Sequence, residues 1–219
     1  MSPAPITQTR LPFGAGGRLG PMRAAYEYYP TPPEATRALL ASETFDGSIW
    51  EPACGEGWIS SELEAAGYDV VSTDLADYGY GSPGIDFLSA RLPRAKHIVT
   101  NPPYGSGLAD AFARKALWFG ARTGGRVAML LNITSLCHPL RHGSFTRRPP
   151  SIVYALDECV CFPNGRPEQA TRQTRQHRYA WLIWEAEPTH TTELRWLTTA
   201  PYRGASTSQR KPQKERKPS

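Results

Sequence analysis

The sequence predicts a doubly wound α/β domain whose sheet is mainly parallel and carries an antiparallel hairpin at one edge. Three observations predict it. Short apolar runs alternate along the chain with amphipathic stretches of helical length, the rhythm of strands linked by helical crossovers. The first of these runs ends in a glycine turn, "SIWEPACGEG", as strands do at the ligand-binding end of such sheets. The last two, "SIVYALDECVCF" and "RYAWLIWEA", are joined by a basic loop from Pro163 to Arg178 with no helix between them, so they pair antiparallel.

The elements follow in order. "TPPEATRALLAS" reads as a helix entry, with Thr31 as the cap, prolines in the first turn, Glu34 three positions on and an apolar face through Leu39 and Leu40. After the glycine turn, "WISSELEAAGY" is a helix stopped at Gly67, and "DVVSTDL" is a strand ending at Asp74. "HIVTNPPY" is the next strand, "LADAFARKALWFGARTGG" an amphipathic helix closed by glycines, and "RVAMLLN" the strand after it. No internal repeat is present.

A chain of 219 residues suits one such domain. We divide it into a flexible leader, 1–26, a catalytic domain, 27–200, and a disordered basic tail, 201–219. No run of 18 apolar residues occurs, and the N-terminus lacks the apolar core of a signal peptide, so a soluble, intracellular protein with no membrane partner is expected. The four cysteines form no C-x-x-C pair and read as small buried thiols. His138 and His142 stand one helical turn apart without a third ligand, so no metal is expected. The net charge of +5 resides in the segment from Arg203 to Ser219, which holds six basic residues and one acid; the rest balances at 19 against 19. That tail is either a solubilising end or a non-specific phosphate-binding arm.

The chemistry concentrates in "IVTNPPYG", residues 98–105. Two prolines fix the backbone after Asn101, so the Pro102 carbonyl is a rigid acceptor beside the acceptor oxygen of the Asn101 amide. With Pro103 holding the turn and Tyr104 offering a flat face, the stretch suits a planar group bearing an NH2. A simple strand-ending turn is the alternative.

Upstream, Gly55 and Gly57 permit close backbone approach to a ligand, and Glu51 at the head of the turn favours a cation over a phosphate. A dinucleotide fingerprint would need a third glycine at position 60, where Ser60 stands. Asp74, 17 residues beyond Gly57, is placed either to take two ribose hydroxyls or to cap its strand. Asp86, in "GIDF", is either a partner for an adenine amine, with Phe87 packing nearby, or a solvated turn acid. A ligand with a ribose, an amine and net positive character fits these residues, and S-adenosylmethionine has all three.

"EPACGEG", "DVVSTD", "GIDF" and "NPPY", in that order, resemble the motifs of class I S-adenosylmethionine-dependent amino-methyltransferases, in particular small phage and prophage N6-adenine DNA methyltransferases. The resemblance spans about residues 27–187. It implies a Rossmann-like, seven-stranded methyltransferase fold in the cytoplasm of a bacterial or phage-infected cell. It also implies methylation of an exocyclic amine, with adenine N6 in DNA foremost and guanine N2 in RNA, a protein glutamine amide or a non-catalytic nucleic-acid-binding subunit as alternatives. By position, Glu51, Pro52, Ala53, Gly55 and Gly57 would line the methionine part of the cofactor, Asp74 with Leu75 the ribose, and Asp86 with Phe87 the adenine. Tyr29, Thr31 and Pro32 would touch its carboxylate end, with Asn101 completing the cofactor site. Asn101, Pro102, Pro103 and Tyr104 would carry the chemistry, Tyr104 stacking on the target ring. Sequence-specific members of this group carry a large recognition region that has no counterpart here. Its substitute would be the basic loop with Arg166, Arg172, Arg175 and Arg178, a solvated hairpin otherwise, or a partner subunit.

Overall fold

The computed structural model describes residues 28–162, 171–172 and 176–204. Seven strands form one sheet: β1 (Ile49–Glu51), β2 (Val70–Ser72), β3 (His97–Thr100), β4 (Val127–Asn132), β5 (Ile152–Leu156), β6 (Tyr179–Trp184) and β7 (Glu193–Leu197). Their spatial order is β2-β1-β3-β4-β6-β5-β7. The first four are mutually parallel, β6 runs antiparallel to both β4 and β5, and β7 lies parallel to β5. Six strands therefore point one way and β6 alone is reversed.

The helices follow from local chemistry. α1 (Pro33–Leu40) opens on Pro33, whose missing N–H costs nothing in the first turn. Its N-cap is Pro32, with no side-chain cap; Thr31, expected to cap it, is turned elsewhere. α2 (Trp58–Ala65) and α3 (Leu108–Thr123) both start behind a glycine in the left-handed region, Gly57 at φ 84° and Gly107 at φ 80°. A short fourth helix, α4 (His142–Arg147), follows β4.

β1, β3 and β6 are buried along their whole length, as strands covered on both faces must be. On one face Val99, Leu130, Trp181 and Tyr154 pack with Ala35 and Leu39 of α1 and Ile59 and Leu63 of α2. On the other, Trp50, Ile98, Met129 and Leu182 pack with Phe112, Ala116 and Phe119 of α3. The Trp181 indole N–H donates to the Ala35 carbonyl at 2.9 Å, which ties α1 to the middle of the sheet.

Three expectations need correction. The antiparallel hairpin is present, but the edge beside it is β7, which lies beyond β5 and was not anticipated. β5 stops at Leu156, short of the predicted run through Phe162, because the Asp157 carboxylate turns to accept from Thr198 and Thr199. Cys54, Cys159 and Cys161 are buried, whereas Cys137 is exposed. No helix among the described residues is long and apolar enough to cross a membrane.

Candidate active site

The chain moves outward from β1 to β2, then returns past β1 to β3 and β4, so the connections leaving β1 and β3 part at the carboxyl ends of adjacent strands. A crevice opens at such a switch point. Here a cavity of about 320 Å³ is lined from β1 by Glu51, Pro52, Ala53 and Cys54, from β2 by Asp74, Leu75 and Ala76, and from β3 by Asn101 through Gly105. Ile85 to Leu88, the segment Tyr28 to Thr31, and Leu108 and Phe112 of α3 close it.

Asn101 is fixed from three sides. Its Nδ2 donates to the Tyr29 carbonyl at 2.9 Å and to Thr31 Oγ1 at 3.1 Å, and the Tyr104 hydroxyl lies 2.7 Å from its Oδ1. Two donors on one end of the amide and a hydroxyl on the other set its orientation, leaving Oδ1 as the acceptor with a second lone pair for a ligand. Thr31, 2% exposed, is thus a positioning group for Asn101, which is why it does not cap α1.

Tyr104 is anchored through its hydroxyl. It lines the cavity, but its hydroxyl is tied down to Asn101 and to the Leu130 carbonyl at 2.8 Å, and its ring lies 6.3 Å from that of Tyr179. Burial pushes its ionisation well above the usual phenol range, so it stays a donor. The residue is half-buried, its hydroxyl held inside the fold while it lines the cavity.

The acids divide by burial. Glu51 is fully buried, accepts a short hydrogen bond from the Ser60 hydroxyl, and is pushed well above the carboxylate range by desolvation. Asp74 accepts from the Gly55 N–H at 2.9 Å and the Ala76 N–H at 3.0 Å, so it braces the glycine turn and begins the next loop. Asp86 is exposed, accepting from the Leu88 N–H at 2.9 Å and the Ser89 hydroxyl. Phe87 touches the cavity but is mainly core, 5.0 Å from Trp50 and 4.8 Å from Phe112 between ring centroids.

Of the predicted cofactor residues, Pro32, Gly55 and Gly57 do not line the cavity. The glycines are needed for another reason. A Cβ on Gly55 would collide with the Tyr28 ring, and one on Gly57 would sit 2.6 Å from the Tyr80 ring. With φ at 52° and 84°, they let tyrosines cover the turn. Tyr28 in turn stacks on Tyr78 at 4.6 Å, and both line the cavity. These tyrosines, with Trp58, went unread in the sequence, although "YEYYP" and "DYGYG" carry the aromatic signal.

Of the predicted substrate arginines, the two described ones do not line the cavity. Arg172 and Arg178 are exposed, while Arg166 and Arg175 lie outside the described residues, as do the leader and the tail beyond Gly204.

No family model matches this chain, and no curated protein matches it. Solved structures do. A Pyrococcus horikoshii protein assigned as an RNA methyltransferase superposes with a TM-score of 0.55 at 14% identity, over 73% of this chain and 88% of that one. A Listeria monocytogenes protein assigned to the class I S-adenosylmethionine-dependent methyltransferases gives 0.54 at 15%, over 77% and 65%. The M protein of the type I restriction enzyme EcoKI gives 0.51 at 13%, over 74% and 46%. The chain thus spans about two thirds of the second of these and under half of the third. The fold is that of the class I methyltransferases.

Proposed function

We propose that this chain is an S-adenosylmethionine-dependent methyltransferase acting on an exocyclic amino nitrogen, adenine N6 in DNA foremost. The observation that carries the reading is Asn101: an amide held by Tyr29, Thr31 and Tyr104 at the carboxyl end of β3, beside a carbonyl fixed by two prolines.

The residues around the cavity fit the cofactor. Asp74 keeps lone pairs for ribose hydroxyls beyond those used by Gly55 and Ala76, the exposed Asp86 would meet an adenine amine, and buried Glu51 lines the cavity where a cationic group would favour its charged form. When bound, S-adenosylmethionine supplies an electrophilic methyl and departs as a neutral thioether. The protein's task is the nucleophile, whose lone pair is delocalised into its ring. Asn101 Oδ1 and the Pro102 carbonyl each accept one N–H, drawing the nitrogen toward a tetrahedral shape and aiming its lone pair at the methyl carbon, and the methylated nitrogen then releases one proton to water. Orientation and preorganised acceptors then supply the rate.

A base within a duplex would be flipped out at a cost of a few kcal/mol. The cationic loop with Arg166, Arg172, Arg175 and Arg178 and the basic tail would hold the backbone, and a partner subunit would add sequence recognition. The test is transfer from labelled S-adenosylmethionine to separate pools of DNA, RNA and protein. Label on DNA adenine supports the proposal; label on RNA or protein alone keeps the chemistry and changes the acceptor; none in any pool removes it.

A further inference from the structure

The strand β7 ends the sheet, and among the described residues nothing pairs with its outer side. The Glu193 N–H donates to the Ser151 carbonyl at 2.8 Å, and the Leu197 carbonyl accepts from the Asp157 N–H at 3.1 Å. In a parallel ladder this phase commits Glu193, Arg195 and Leu197 to β5, which turns the backbone N–H and C=O groups of Leu194 and Trp196 outward. Those two residues also carry exposed apolar side chains, Leu194 at 50% and Trp196 at 75%. A sheet edge of this kind invites another strand.

Beside it, on the face shared by Thr192, Leu194 and Trp196, lies a groove lined by Thr192 and Leu194 with Val153, Phe145, Leu136 and Pro150. We propose that β7 and this groove form a two-fold interface with a second copy of the chain, joining two sheets edge to edge through antiparallel β7 strands.

The charges select the register. Within each strand Arg195 already holds Glu193 at 2.6 and 2.7 Å and donates to the Tyr154 hydroxyl at 3.0 Å; pairing centred on Leu194 sets each of these ion pairs head to tail against that of the second copy, Glu193 opposite Arg195 on both sides of the axis. It falls at non-hydrogen-bonded positions, where facing Cα atoms are about 4.5 Å apart and side chains interact most closely. Centring on Arg195 would oppose two arginines there, and centring on Glu193 two glutamates, both unfavourable. The same register places Leu194 against its own copy and the second copy's Trp196 against Thr192, at the rim of the groove. Strands lie about 4.8 Å apart, so the indole reaches back over the groove. Each copy gives a knob and receives one, so the contact closes at two chains.

The test is sedimentation of the full chain from micromolar to several hundred micromolar, with thermal melting to verify that each variant folds. Two chains per particle are expected. Trp196→Glu, at an exposed position, should weaken association by about tenfold or more, as loss of a central aromatic anchor does. Arg195→Glu should do likewise by placing carboxylates opposite one another, and the exchanged double variant Glu193→Arg/Arg195→Glu should regain the dimer. A single-chain mass for the parent throughout, open-ended assemblies, or a dimer unaffected by Trp196→Glu would each overturn the proposal. So would a folded double variant that stays monomeric.

Discussion

Replacing Thr31 by valine isolates the support of the Asn101 amide, the acceptor in the proposed reaction, from the amide itself. The change is nearly isosteric and removes only Oγ1, which accepts from Asn101 Nδ2 at 3.1 Å, while the 2.9 Å bond to the Tyr29 carbonyl and the contact with Tyr104 persist. A neutral buried hydrogen bond contributes about 0.5–1.5 kcal/mol net. If that is lost from the transition state, where Oδ1 must be in place, it converts to about a two- to tenfold slower transfer. Single-turnover methylation measures the rate, and calorimetry with S-adenosylhomocysteine measures the binding, which should not move. Thr31→Ser, which keeps the hydroxyl, should recover most of the rate. An unchanged rate for Thr31→Val would refute the positioning role. A loss matched by equally weakened cofactor binding would refute it too, because Thr31 would then be a ligand contact.

Asn101→Ala should slow transfer by about a hundredfold or more, the scale of deleting one preorganised transition-state partner, with cofactor affinity little changed. In the same assay Tyr104→Phe should cost more than a retained ring suggests, since it removes the hydroxyl whose single proton lies between Asn101 Oδ1 and the Leu130 carbonyl, both within 2.8 Å. Asp74→Ala should lose most affinity for S-adenosylhomocysteine and also loosen the glycine turn, which hydrogen exchange at Gly55 and Ala76 would reveal as faster opening. Asp110, 4% exposed in α3, is pushed by burial up to about 8 despite Arg141 at 3.6 Å. Because its folded value is raised, its stabilising contribution is full below about pH 4 and is lost as the pH rises through about 8. Asp110→Asn should therefore flatten the melting temperature across that interval, and an identical pH profile would exclude it.

The central sheet was legible because its strands are buried on both faces and read as unbroken apolar runs, "YAWLIW" most clearly. β7 was not read, although Glu193 and Arg195 alternate with Leu194 and Trp196 as strand residues do: five largely exposed residues make a short signal, and their partner β5 lies some forty residues upstream. The stretch "NPPY" announced itself through backbone stiffness, a local property. The direction of the Tyr104 ring depends on the Leu130 carbonyl, 26 residues away, and no local pattern encodes it. The same limit applies to Thr31. Its neighbours Pro32, Pro33 and Glu34 make it look like a cap, while its partner stands 70 residues downstream. For Gly55 and Gly57 the residue type was readable and the reason was not, because Tyr28 and Tyr80 reach the turn from distant segments.

The reversed strand β6 fills a gap between two strands that are both made before it. As the chain emerges during synthesis, β4 and β5 exist without the piece that belongs between them, and pairing them with each other would leave no place for Tyr179–Trp184. The apolar side of β4, Val127–Asn132, must therefore wait for residues some fifty positions later to be translated. Such a late, non-local closure is slow and leaves a sticky edge in the meantime. A chain halted before β6 should be a client for chaperones or proteases, while one extended past Trp184 can join β4 to β5 and leaves β7 to complete the edge. Completion of the sheet is thus tied to the arrival of its reversed strand, β6, and of β7 after it.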